Sequence, residues 1–396
     1  MRRLALLVLA STASAVCDAD VVSEVNEAAT KLAGPPPAVT TANTLALANL
    51  AMFDAANAVE KRFVPYRAVA APPPGVQADA AALAAGCAAL AALVPAQKAA
   101  ATTACDGIAA RLPAGAYGDD AKRFGEAVAS GLVASRADAG LTEPNRYRPF
   151  TTAGTYVPTP LPIGWELVKA KPLMMTSASQ FRPGPPPALS SDTWTRDYNE
   201  VKAVGSRGSA TRTPEQTATA QFYGQPGFTQ FVASIAENAP PASSVAGSAR
   251  YYALLYAVLV DTAIAQFEAK YAYNFWRPIT AIRNGDLDGN AATELDAGWT
   301  PLAEAPMHPE YPCAHCNTGT AFATLLANLA GPGRRFVIRG NNDARREFAA
   351  PADLAADIVN ARVYSGIHFR NSAETGAAMG KKIGEYVIAT QLRPLP

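Results

Sequence analysis

Histidine is scarce in this chain: three residues out of 396. Cysteine is nearly as rare, at five, too few for a chain of this length to owe its fold to a disulfide framework. Charged residues make up 17%, below the roughly one quarter usual in soluble domains, and 34 Lys and Arg nearly balance 33 Asp and Glu for a net charge of +1. With no basic stripe and no aromatic-basic module, nucleic acid is not an expected partner. No uncharged apolar run approaches the roughly 18 residues a membrane helix needs, the best candidate, Tyr251 to Val260, being bounded by Arg250 and Asp261. Strand signals are almost missing as well. Arg335-Phe336-Val337-Ile338-Arg339 is a short candidate of little weight, and no solenoid repeat is present.

What is present is apolar and helical in period. Hydrophobic residues form 49% of the chain, enough for a sizeable core. Leu45, Ala48, Met52, Ala55 and Val59 recur at three- and four-residue steps between Thr41 and Lys61, with Asp54 and Asn57 read as belonging to the polar face. Phe124, Val128 and Leu132 make a second stripe. Further helices are expected over Ala78 to Leu93, Pro95 to Leu112, Asp192 to Val204, from Pro214 behind a Thr213/Gln216 capping box, Ser248 to Lys270, 316–330, Pro351 to Tyr364 and 371–391. Between Leu141 and Leu189 the pattern breaks, because ten prolines from Pro144 to Pro187 forbid regular helix. Trp165 and Phe181 argue that this stretch is an ordered strap packed across a bundle; a linker would be more polar. The expected fold class is all-α.

Met1-Arg2-Arg3, the apolar Leu4 to Ala10 and the small residues Ala13-Ser14-Ala15 read as a signal peptide over 1–15, so export to a periplasm or beyond is expected. The remainder divides into an N-terminal helical region with the strap, 16–240, and a core, 241–396, expected to form one unit. Export permits disulfides: Cys87 and Cys105 flank the turn at Pro95 and can staple it, which leaves Cys17 unpaired. Asp286-Leu287-Asp288-Gly289-Asn290 has a calcium-loop composition, but its glycine comes too early, and it reads as a turn.

The reactive residues gather in three segments. Met307-His308-Pro309-Glu310-Tyr311-Pro312-Cys313-Ala314-His315-Cys316 holds two of the histidines; Arg362 to His368 holds the third; Lys270 to Pro278 holds Lys270 and Arg277. Brought together, a lysine, two arginines and imidazoles suit a compact oxyanion, since guanidinium forks match tetrahedral oxygens and neutral imidazole can bind a metal or move protons.

In that order, K-x6-R-P, P-x-x-H and R-x5-H resemble the signature of the vanadium-dependent haloperoxidases, which share a helical fold with the type 2 phosphatidic acid phosphatase superfamily. Asn43 to Ala58, Gln180 to Leu189 and Tyr273 to Arg283 are similar to other segments of bacterial members. The resemblance implies vanadate as cofactor, with phosphate able to take its place. It implies Lys270, Arg277 and Arg362 around the anion's oxygens, His368 as the nitrogen ligand, His315 as the acid-base residue and the Ala314 N–H as a further donor. His308 stands where bromoperoxidase types carry histidine, so bromide oxidation by hydrogen peroxide is the implied activity, with Trp276, Cys313 and Ser372 as neighbouring residues. Phosphate-ester hydrolysis through a His368 nucleophile, or oxyanion binding without turnover, are the alternatives on the same frame.

The chain departs from the family pattern at four places. Pro312-Cys313-Ala314-His315 stands for P-S-G-H, Ala361 replaces the serine before the arginine, and Ser372 replaces an aspartate four residues after the histidine. A free thiol would not survive beside peroxide, so working chemistry calls for a Cys313–Cys316 disulfide. Zinc bound by these cysteines with His308 and His315 lacks the second C-x-x-C of structural sites. With the aspartate gone, Ser372 or Glu374 is left to orient His368.

Overall fold

A computed structural model describes residues 20–33, 38–141, 143–224, 227–340, 342 and 344–396. The expected signal peptide, 1–15, and Cys17 lie outside the described residues. Among the described residues the chain forms thirteen α-helices and a sheet of two strands. The fold is all-α, as expected.

In chain order, α1 (Val21–Leu32), α2 (Ala38–Glu60), α3 (Ala78–Leu93), α4 (Lys98–Ala109) and α5 (Asp119–Ser135) precede the strap. After it come α6 (Asp192–Val204), α7 (Pro214–Phe222), α8 (Gly227–Glu237), α9 (Val245–Tyr273), α10 (Pro278–Arg283) and α11 (Ala314–Ala330). A hairpin of β1 (Phe336–Arg339) and β2 (Arg345–Phe348), in register from Phe336 opposite Phe348 to Arg339 opposite Arg345, leads to α12 (Pro351–Tyr364) and α13 (Arg370–Thr390). The candidate strand at Arg335–Arg339 is therefore real, while α1, α8 and α10 had no counterpart in the sequence reading.

α9 is apolar on every side and accordingly lies in the middle, packed on α2, α11 and α13. Among the described residues it is the one single helix long and apolar enough to cross a membrane, and it is mostly buried in the bundle. The alanines of α3 allow close approach by α2 and α5, and a Cys87–Cys105 disulfide with Cα atoms 6.1 Å apart ties α3 to α4. The capping box at Thr213 forms as expected.

Polar residues inside apolar helices turn out to be fasteners. Asp54 and Asn57 do not sit on a polar face; both are buried, Asp54 accepting from the amides of Tyr66 and Arg67 and Asn57 bonding the Phe63 backbone. Burial was missed because the stripe of α2 is wider than one face. Asp261 of α9 accepts from the amides of Leu173, Met174 and Met175 at 2.6, 2.8 and 2.8 Å, and Glu268, about two turns further along α9, pairs with Arg182. Together they hold the strap against the bundle, with Phe181 packed on Tyr386 of α13. Gly164 has φ 81° and faces the Phe267 ring so closely that any Cβ there would overlap it. Next to it, Ile163 N–H donates to Met307 O at 2.9 Å, so the strap reaches the histidine segment. Asp288, in the calcium-like stretch, accepts from Trp194 Nε1, Thr293 Oγ1 and the Asn290 amide, and this is a turn.

Candidate active site

α9 runs through the core and ends by delivering Lys270 into it, fully buried, with Nζ donating to the carbonyls of Pro309 and Glu310 at 2.8 Å each. Asn274 then stops the helix in the left-handed conformation (φ 47°), and the chain turns so that Arg277 caps α10. Arg277 is buried too. Its Nε donates to His308 O (3.0 Å), Nη1 to Ile367 O (2.8 Å), and Nη2 lies 2.9 Å from His308 Nδ1. Nη1 is also 3.2 Å from Nε2 of His368. Because a guanidinium can only donate, both of those imidazole nitrogens carry lone pairs. The Pro309 carbonyl, 3.1 Å from the same His308 nitrogen, is then not served by it.

Arg362 comes from the last turn of α12, donating through Nη1 to Tyr223 O at 3.1 Å. Its Nε is buried with no hydrogen-bond partner among the described residues. His315 occupies the first turn of α11, partly exposed at its surface, and its ring lies within electrostatic reach of Arg362, Lys270 and Arg277. His308 packs edge-on against Phe267 of α9, ring centroids 5.3 Å apart. The three segments therefore converge, as expected.

Burial with like charges close by shifts every base in the cluster the same way. Desolvation, then Arg277, pushes Lys270 well below its ordinary range despite Glu310. Desolvation lowers Arg277 to about 10 and, with help from Arg277, Arg362 to about 9, so both remain charged at neutral pH. The three imidazoles are driven well below 6.5, first by desolvation and then by the surrounding cations, and are neutral.

Ala314 is the first residue of α11, and Cys313 its N-cap, with the Cys316 amide donating to Cys313 Sγ. Cys313 and Cys316 pair as a disulfide, both fully buried. The zinc reading falls with that, and the described residues contain no cluster of three metal-ligating side chains. Trp276 points into an aromatic group, stacked on Trp194 at 5.9 Å.

One participant had gone unrecognised. Glu310, completely buried, has Oε1 2.8 Å from His368 Nδ1 and accepts from the Phe369 amide at 3.0 Å. Glu374, by contrast, is exposed, and so is no partner for His368. Ser372 is buried beside Glu310; the two side chains miss ideal hydrogen-bond geometry, yet the hydroxyl is close enough to help hold the carboxylate's pKa down. Burial nevertheless raises Glu310 to about 7. A lone acid between two histidines, in a chain lacking the aspartate after His368, was the signal available.

The helical fold that carries this buried cationic cluster is similar to that of the vanadium haloperoxidases. Residues 250–395 match the family described as the VCPO second helical-bundle domain. Over nearly its whole length the chain is similar in fold to a bacterial vanadium-dependent iodoperoxidase, at TM-score 0.74 and 20% identity, covering 95% of this chain and 96% of that one. A holo-type bacterial vanadium-dependent chloroperoxidase is similar at TM-score 0.66 and 18% identity, with 90% and 92% covered, and its apo-type counterpart at 0.66 and 16%, with 88% and 92% covered. No curated protein matches the sequence.

Proposed function

We propose that the chain oxidises halide, bromide by preference, with hydrogen peroxide at a vanadate held by His368. The observation that carries this is the charge imbalance: Lys270, Arg277 and Arg362 are buried together with Glu310 as the carboxylate that offsets them, and Arg362 Nε still lacks an acceptor. A tetrahedral oxyanion supplies both the charge and the acceptors. The residues fit the group. His368 offers Nε2 as ligand, Lys270, Arg277 and Arg362 bind oxygens, and the Ala314 N–H, in the first turn of α11, has no partner within its own helix. When bound, vanadate supplies the activation of peroxide toward halide.

The rest is the work of the chain. Lysine and arginines fix the oxygens and withdraw negative charge; the strap and Phe267 keep bulk water from the His308 side. His315, neutral and with its Nε2 buried, can take a proton from the site. The Cys313–Cys316 disulfide leaves no thiolate for the oxidant to consume. Bromide preference follows from His308 and the bromoperoxidase types it resembles. We place the protein outside the cytoplasm, since two disulfides suit an oxidising compartment.

The test is bromination of a phenolic dye by peroxide and bromide. It is expected to depend on added vanadate and to vanish in His368→Ala. Aryl phosphate hydrolysis that vanadate inhibits, with no bromination, would replace this reading by the phosphatase one.

A further inference from the structure

Building on that reading, we propose that Glu310 is the positioning residue for His368, doing from a different segment what a carboxylate one turn after the histidine would do. Its Oε1 contacts Nδ1 of the ring at 2.8 Å and the amide of Phe369 at 3.0 Å, so one oxygen holds both the imidazole and the main chain that follows it. From the other side Arg277 Nη1 sits 3.2 Å from Nε2. A guanidinium donates only, so the ring proton is on Nδ1, where Glu310 accepts it, and Nε2 keeps its lone pair toward the cations. Two independent contacts thus select the same tautomer, the one a nitrogen ligand needs. The candidates on the histidine's own helix do not compete: Ser372 brings a hydroxyl, and Glu374 is exposed. Ser372 lies against the Glu310 carboxylate, which places the two positions on the same small volume.

A pair of buried carboxylate oxygens would also give Glu310 a merely structural role, so the experiment must separate orientation from integrity. With three histidines in the chain, 15N-histidine NMR of the full protein without added oxyanion resolves the His368 tautomer. The wild type is expected to carry the proton on Nδ1, Glu310→Ala to populate the Nε2–H form, and Glu310→Ala with Ser372→Asp to return to Nδ1–H. In calorimetry, Glu310→Ala is expected to weaken vanadate by about 10- to 100-fold, the usual loss when a ligand's orienting partner is removed. Phosphate, which makes no bond to the ring and depends on the cations, is expected not to weaken. Should that variant fail to fold, Glu310→Gln, whose amide oxygen still accepts from Nδ1, is expected to keep the tautomer and lower the ratio of vanadate to phosphate affinity. A wild-type His368 protonated on Nε2 overturns the proposal, as do equal losses for both anions or an unchanged ratio in Glu310→Gln. A wild type that binds neither anion defeats the proposed function instead, while the tautomer still decides for or against Glu310.

Discussion

Single buried charges in this molecule come in two kinds, distinguished by what their hydrogen bonds reach. Arg277 is satisfied by carbonyls and imidazoles, whereas Arg362 keeps a buried Nε without an acceptor among the described residues, the state expected of a group open to an anion. Asp54 is the opposite case: a carboxylate whose two oxygens are taken by the Tyr66 and Arg67 amides, with a structural duty alone. Its burial outweighs those bonds and raises its pKa to about 7. Between the unfolded value near 3.8 and about 7, the native state therefore keeps a proton that the unfolded state has lost, so this residue's contribution to stability is present below that window and falls as pH rises through it. At about 1.4 kcal/mol per pKa unit, the swing is on the order of a few kcal/mol. Asp54→Asn cannot ionise, and the drop in urea midpoint between pH 4 and pH 8 should be smaller in it than in the wild type. Equal drops would mean that Asp54 is already ionised at the lower pH.

Between elements, the decisive contact is that of α11 with α13, because α11 carries His315 and the start of α13 follows His368. The helices meet backbone to backbone: a Cβ built on Gly380 would lie 1.9 Å from Asn317 O, and one on Gly376 2.4 Å from Cys313 O. Backbone cannot swing aside as a side chain can. Gly380→Ala is therefore expected to destabilise the fold by roughly 1–3 kcal/mol or more, against a helix-propensity gain of about 1 kcal/mol, and to lower the melting temperature. A variant as stable as the wild type would show that the helices are not so closely packed. At this scale the sequence was readable where a helix carried its own stripe or cap: Asp192–Val204 and Pro351–Tyr364 came out with their bounds. The stripe of α1, Val21, Val22, Val25 and Ala29 on one side of a helix capped by Asp20, is short and follows directly on a stretch whose composition reads as a leader, so it does not stand out. The hairpin depended on cross-strand pairing that four-residue strands do not advertise, and Glu310 on a meeting of segments 58 residues apart. The cations and histidines were legible because the three histidines gather in two short segments and because K-x6-R-P, P-x-x-H and R-x5-H follow the motif order of the haloperoxidases the chain resembles.

Taken as a whole, the molecule concentrates positive charge in a buried cluster drawn from residues 270–368, although its net charge is only +1. The strap, fastened by Asp261 and Glu268 to α9, joins the N-terminal helices to the segment that carries His308, and every base of the cluster has its pKa lowered by desolvation. Mutual repulsion there opposes folding, and an oxyanion that binds only the folded form would relieve it. Mass action then gives about 2.7 kcal/mol of added stability at an anion concentration one hundred times its Kd. Melting temperature should accordingly rise by several degrees with vanadate or phosphate, and by far less with chloride at matched ionic strength. In Arg362→Ala the rise should shrink, while the anion-free melting temperature changes little, since Arg362 makes one Nη1 bond to Tyr223 O and leaves Nε unpaired. If chloride stabilised as well as phosphate, or if Arg362→Ala kept the full increment, the cations would be serving the fold and not a tetrahedral guest.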